Sequence, residues 1–219
     1  MNLCACTKDG WTWRGESGKG FTAKSVYEVL KERAKETTEV VEETDISAKV
    51  WKIPIPNKVK LTVWRILKNR IPTCDNLLRR NVMLSEVEVG CNACFYRQES
   101  MKHVLLHCPK TSKIWEAIYQ WLGVCVVQPH DVPSHFRFFT GLSSRKSNRK
   151  FLMALWCCTT WLIWKMRNES RFDNKRWEIA SLLGEIKARV WSWGKIFGFV
   201  NDGVGMHRWM SSDESPLTL

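Results

Sequence analysis

"CNACFYRQESMKHVLLHCPK", Cys91 to Lys110, gathers three of the chain's nine cysteines and two of its five histidines into one short stretch. The spacing is Cys91-x2-Cys94-x8-His103-x4-Cys108. A C-x2-C pair lets two sulfurs reach one ion from a single turn, and zinc takes four sulfur or nitrogen ligands at tetrahedral corners. A short helix over 99–106 is expected to present His103, with Cys108 at its end, before Pro109. Three thiolates and one imidazole fill all four positions and leave none for water or substrate. A zinc ion (Zn2+) held here is therefore expected to be structural. Its binding free energy would be folding free energy for a segment with little core of its own. His107 is the alternative to His103 as the nitrogen ligand. His103 is preferred because the neighbours His107 and Cys108 rarely both reach one small ion with tetrahedral geometry. The bland reading, ordinary buried thiols and histidines, is disfavoured by so many ligand types in so short a span.

The surrounding chain has 219 residues, 44% apolar and 26% charged, as one soluble domain or two small ones would have. Its thirteen tryptophans need folded neighbours to bury them. The formal net charge of +12 points to an anionic partner, nucleic acid before a membrane surface. A solvated basic surface is the competing explanation. Met1-Asn2-Leu3-Cys4 leads into polar Lys8-Asp9-Gly10 without an apolar leader, and the cysteine count is odd. Reduced thiols in an intracellular setting, nuclear or cytoplasmic, are expected rather than a disulfide scaffold. The most apolar run, Phe151 to Trp164, falls short of the roughly 18–20 residues that span a bilayer. It reads as a buried helix, with no membrane partner.

Hydrophobic periodicity predicts a mainly α fold with a small N-terminal β-hairpin, a zinc-knuckle-like segment in the middle and a C-terminal antiparallel helical hairpin. The β-hairpin is expected over 11–23 and a helix over 24–35. The acidic stretch 36–43 reads as a solvated loop or frayed helix end. After the extended Ile53-Pro54-Ile55-Pro56, Asn57 is expected to cap a helix that turns Val59, Val63, Ile66 and Leu67 inward. Thr73 is expected to cap the next, with Leu77 and Leu78 inward. Thr111 or Ser112 should cap a helix stopped by Gly123. Residues 124–148, with weak periodicity and two prolines, read as a linker. The hairpin is expected over 149–199, with Asp173-Asn174 at its turn and Cys157-Cys158 in its core. Residues 200–219 read as a disordered tail.

The pieces "GKGFTAKSVYEVL", "VWKIPIPNKVKLTVWRILKNRIPTCDNLLRRNV" and "CNACFYRQESMKHVLLHCPKTSKIW" together resemble the zinc-binding domain of plant non-LTR (LINE-type) retrotransposon reverse transcriptases. The resemblance covers about Trp11 to Leu122, giving an expected domain over 11–123. "ALWCCTTWLIWKMRNESRFDN" is similar, more weakly, to what often follows that domain. The resemblance puts Cys91, Cys94, His103 and Cys108 on the family's metal positions. It implies a role beside a polymerase in handling template or target. Asn92 and Phe95 depart from the proline and glycine common after the first and second cysteines, which puts the tight turn in question. No paired-aspartate polymerase motif and no spaced carboxylate set is present, so the chain is expected to be no enzyme itself. It looks like the C-terminal portion of a longer polyprotein whose upstream reverse transcriptase domain would be a partner.

Lys58, Lys60, Arg65, Lys68, Arg70, Arg79 and Arg80 are the expected nucleic-acid-binding residues, for RNA or single-stranded DNA, because Asp75 is the sole acid among them. The competing expectations are a protein-interaction module that docks tryptophan-rich helices on a polymerase, or an inert fragment of a decayed element.

Overall fold

Thr22 and Ser25 start the first helix by capping each other. The Thr22 hydroxyl accepts the Ser25 N–H at 3.1 Å, and the Ser25 hydroxyl accepts the Thr22 N–H at 3.3 Å, so two N–H groups of the first turn are satisfied reciprocally. The helix they open is α1, Ala23–Lys35. The computed structural model describes residues 22–35, 46, 48–82, 89–95, 98–200, 205–210 and 216. The hairpin expected from Trp11 lies, up to Phe21, outside the described residues, as does the acidic stretch 36–43; Thr22 and Ala23 open α1. The chain divides into two compact units, residues 1–45 and 46–219.

The second unit is helical, and among its described residues β pairing is confined to one isolated Gly90–Gln98 bridge. The Pro-rich segment expected to be extended is instead bent, with the Ile55 N–H donating to the Ile53 carbonyl at 3.0 Å, and it buries Ile53 and Ile55. They lead into α2, Asn57–Leu67, which buries Val59, Val63, Ile66 and Leu67 as its periodicity requires. Its N-cap is Pro56 rather than Asn57, whose side chain caps nothing. In α3, Cys74–Leu78, the expected inward leucines are displaced: Leu78 is exposed, and the buried side chains are Cys74 and Asn76. Asn76 gives its amide to the carbonyls of Asn69 and Ile71 at 3.0 and 2.9 Å, so this short helix is seated by polar bonds.

Helix α4, Pro109–Leu122, has Cys108 as N-cap and ends at Gly123 with φ 67°. Neither expected cap performs that role, because the Thr111 hydroxyl donates instead to the Val104 carbonyl at 2.7 Å and Ser112 to Leu106 at 3.1 Å. The expected linker 124–148 contains α5, Val132–Gly141, opened by Asp131, whose carboxylate accepts the Ser134 N–H at 2.8 Å. Its Val132, Phe136 and Phe139 are buried.

The long α6, Lys146–Phe172, and α7, Ile179–Phe197, form the expected hairpin, with Asn174 at φ 54° in the turn. Lys165 lies 3.9 Å from Glu185, and Arg189 lies over the Trp161 ring, so position falls on one helix as it rises on the other: they are antiparallel. Cys157 and Cys158 are fully buried in α6. The expected disordered tail includes α8, Met206–Met210. Its Trp209 is 2% exposed, edge-on to Trp121 and Phe151 at 5.4 and 5.2 Å. Burying one indole offsets the ordering of that turn.

Helices α4, α5 and α6 meet around His135, which is fully buried. Trp156 Nε1–H has only a proton to give and donates to His135 Nδ1 at 2.9 Å. The neutral ring therefore carries its hydrogen on Nε2, which faces the Tyr119 hydroxyl at 2.6 Å. Burial, chiefly, then the nearby His107, lowers the His135 pKa to about 3.

Candidate metal centre

Residues 89–95 and 98–99 face each other across a reversal of the chain. The Glu99 N–H donates to the Val89 carbonyl at 3.0 Å and the Phe95 N–H to the Cys91 carbonyl at 2.8 Å. This closes the C-x2-C turn, and Phe95 takes φ 60° at its end, where a glycine would sit without strain. The chain then enters a π-helical turn, His103–His107, closed by the Cys108 N–H on the His103 carbonyl at 2.7 Å. That wider turn, a form frequent at functional sites, sets Cys108 beneath His103. Cys108 in turn stands at the N-terminus of α4, where a thiolate is favoured.

The ligand atoms of Cys91, Cys94, His103 and Cys108 all lie within 4.8 Å of one another, and all four residues are buried. Cys94 Sγ is 3.3 Å from His103 Nε2, and Cys91 Sγ is 4.0 Å from Cys108 Sγ. A tetrahedron with zinc–sulfur bonds of about 2.3 Å has edges of about 3.8 Å, so the donor set and its spacing fit zinc. Hydrogen bonding with Cys108, then burial, pushes the Cys91 thiol up to about 12, and the same contact lowers Cys108. Backbone N–H groups of Ala93 and Cys94 face the Cys91 sulfur, and those of Lys110 and Thr111 face Cys108. These donors favour thiolates, the form a metal binds. His107 points elsewhere: its Nε2 bonds to the His130 carbonyl at 2.8 Å.

Sequence reasoning missed the group that seats this knuckle. Glu99 is fully buried and takes a two-pronged hold on Arg167 of α6, with Arg167 Nε on Glu99 Oε2 at 2.9 Å and Nη2 on Oε1. Arg171, one turn on, reaches Glu99 Oε2 at 3.2 Å. The Cys74 N–H donates to the same carboxylate at 3.2 Å. One carboxylate thus joins the knuckle, α3 and α6. Trp177 packs on the cysteine cluster, and Asn92 donates to the Ser170 carbonyl at 3.5 Å. The available signal was a lone acid between the ligands, with two arginines four apart in the "WKMRNESR" part of the weaker match.

Of the residues expected to contact nucleic acid, Lys58, Arg65, Arg70, Arg79 and Arg80 are exposed, and Lys60 and Lys68 are half-buried. Lys58 lies over the Trp161 ring at 5.3 Å, Lys60 donates to the Trp51 carbonyl at 3.3 Å, and Arg79 pairs with Asp75 at 2.8 Å. Among the described residues, no helix is long and apolar enough to cross a membrane.

Comparison with known proteins agrees with this geometry. The chain is 28% identical over 118 residues to a putative ribonuclease H protein of Arabidopsis thaliana, a match spanning 52% of this chain and 18% of that protein. No solved structure shows a significant match. Residues 21–115, the stretch that holds all four converging side chains, match the family described as zinc-binding in reverse transcriptase.

Proposed function

We propose that the chain is a zinc-stabilised nucleic-acid-binding part of a retroelement reverse transcriptase of the LINE (non-LTR) type, working beside the polymerase and catalysing nothing itself. The observation that carries the reading is the closed set of three thiols and one imidazole within the stretch that matches the reverse-transcriptase zinc-binding family. Cys91, Cys94, His103 and Cys108 would hold the ion. When bound, zinc supplies a cross-link rather than a reactive centre, since four protein ligands leave no coordination position for substrate. The knuckle's role is to hold its loop against α3 and α6, and with it the basic surface of α2. The charge of +12 supplies the attraction to phosphates.

The test is filter binding of the purified chain to structured RNA and to single-stranded DNA across a salt series, with metal analysis after exhaustive dialysis. Salt-dependent binding and about one zinc per chain are expected. No binding even at low salt would overturn the nucleic-acid reading, and a metal content far below one ion per chain would overturn the site.

A further inference from the structure

The basic surface does not stop at α2. Residues 46–74 contain seven lysines and arginines and no Asp or Glu, and residues 132–168 contain seven more and again no acid. The fold brings these two acid-free stretches together. Between them lies a cavity of about 310 Å3, whose four charged lining residues are Lys49, Lys52, Arg149 and Lys150. Ile53 and Met153 contribute an apolar wall. Among the described residues no carboxylate lines it. Trp51, 48% exposed, stands next to Lys52 in the chain, and its carbonyl takes the Lys60 ammonium, which carries the cationic track onto α2.

We propose that this cavity is a phosphate-binding site for the backbone of a single-stranded nucleic acid, with Trp51 stacking on an unpaired base beside it. The inference rests on the nucleic-acid-binding reading above and deepens it by placing the strand. Convergent lysines and an arginine with no acid among them suit a polyanion, and the half-exposed indole distinguishes a nucleic acid from other polyanions. A duplex would keep its bases from the ring. The strand would run from the start of α6 towards α2, where Lys58 and Lys60 extend the same charge.

The experiment uses the full zinc-loaded chain and a fluorescein-labelled single-stranded RNA of mixed sequence, read by anisotropy across a salt series. Lys52→Gln/Lys150→Gln is expected to weaken binding about tenfold at low salt and to flatten the log–log salt slope by about 1.4, two contacts at roughly 0.7 each. Lys113→Gln/Arg176→Gln removes the same charge away from the cavity and should leave the slope unchanged. Trp51→Ala should cost about fivefold or more in affinity with the slope intact, and Trp51→Tyr should restore most of it. Each variant must keep the parent's zinc content and melting temperature, which separates lost contacts from lost folding. If the parent binds RNA but the two double variants behave alike, the cavity is overturned while the nucleic-acid reading stands. If the parent binds no RNA at all, that reading falls and takes the cavity with it. Tighter binding to phosphatidylserine vesicles, lost in Lys52→Gln/Lys150→Gln, would assign the cavity to a lipid headgroup and overturn the proposal.

Discussion

The knuckle and the helical hairpin solve the same problem with opposite means. In α6, every residue from Phe151 to Ile163 except the half-buried Met153 and Trp161 is buried, and α7 adds Leu182, Ile186, Val190 and Trp193. Apolar area holds that region, and many small contributions share the load. The knuckle's own buried cluster is Cys91, Ala93, Cys94 and Cys108, with Trp177 leaning on it from outside. Few atoms surround the ligands there, so each matters far more. Beyond the ligands, Val104, Leu105 and Leu106 of its last turn join the main apolar core, and Glu99 ties it to α6 through Arg167 and Arg171. A region held by area should fail gradually, and a region held by a few ligands all at once.

The largest break in that comparison is removal of a ligand. Cys94→Ser should lose the bound zinc, and with it most of the roughly 10–16 kcal/mol that structural zinc contributes to small sites. Limited proteolysis should then cut within residues 89–108, while far-UV circular dichroism keeps most of the helix signal, because α6 and α7 have their own core. A variant with full zinc and an unchanged melting temperature would contradict this.

Next comes the clamp between the two regions. Glu99→Gln leaves Arg167, 3% exposed, without its counter-charge. Breaking one half of a buried pair costs about 3–5 kcal/mol. Arg167→Met in the same chain should recover much of that loss, since it removes the stranded charge. Zinc content should stay near one per chain in both variants. Chemical denaturation of the single and double variants measures the coupling, and additive losses would show that the pair does not join the regions.

The hairpin side has a smaller sensitivity of its own, set by a buried imidazole rather than by metal ligands. His135 is neutral among Trp115, Phe139 and Trp156. Its folded pKa, about 3, lies below the value of about 6.5 for an exposed imidazole. The unfolded chain therefore takes up the proton first. The stability tied to the neutral ring is fully present above pH ~6.5 and declines as pH falls towards ~3, by at most about 1.4 kcal/mol per unit. Asp131 opposes the shift and His107 adds to it, so both belong in the fit. Acid also releases metal from thiolates, so the comparison is with His135→Gln, which keeps a polar group for Trp156 and Tyr119 but does not titrate. The parent should lose more stability than that variant between pH 6.5 and 5, in melts at matched zinc content.

What could be read from the chain follows the same division. The apolar faces of α2, α6 and α7 are periodic over three turns or more, and such periodicity survives folding because area drives it. The converging side chains of the knuckle were legible because ligand chemistry fixes spacing. Polar seating was not legible. Asn76 is buried where Leu77 is half-buried and Leu78 exposed, because its amide finds two carbonyls, and nothing local announces that. Glu99 and Arg167 are 68 residues apart, and no periodicity links them. Helix α5 did carry signs, Asp131 three before Ser134 and a proline in the first turn. Of the two prolines that give residues 124–148 the look of a linker, one starts a helix. Trp209 sits among polar and glycine residues, so its burial is explained by what it meets, the Trp121 and Phe151 rings and the Lys187 carbonyl that takes its indole N–H at 3.0 Å.

The finest test is at the turn whose residues depart from the family pattern. Phe95 holds φ 60° and is 80% exposed, so its ring gains little from packing while its backbone carries the left-handed penalty. For a non-glycine residue that conformation costs about 1–2 kcal/mol. Phe95→Gly removes the penalty but gives the unfolded chain more freedom, worth about 0.5–1 kcal/mol in the opposite sense. The net expectation is a stabilisation of up to about 1 kcal/mol, seen as a slightly higher melting temperature and slower zinc loss to a chelator. Asn92 stays, so its bond to Ser170 serves as the internal control. A variant that melts lower, or surrenders zinc faster, would mean that the Phe95 ring has a packing partner in the folded chain. The knuckle would then share the hairpin's reliance on buried area.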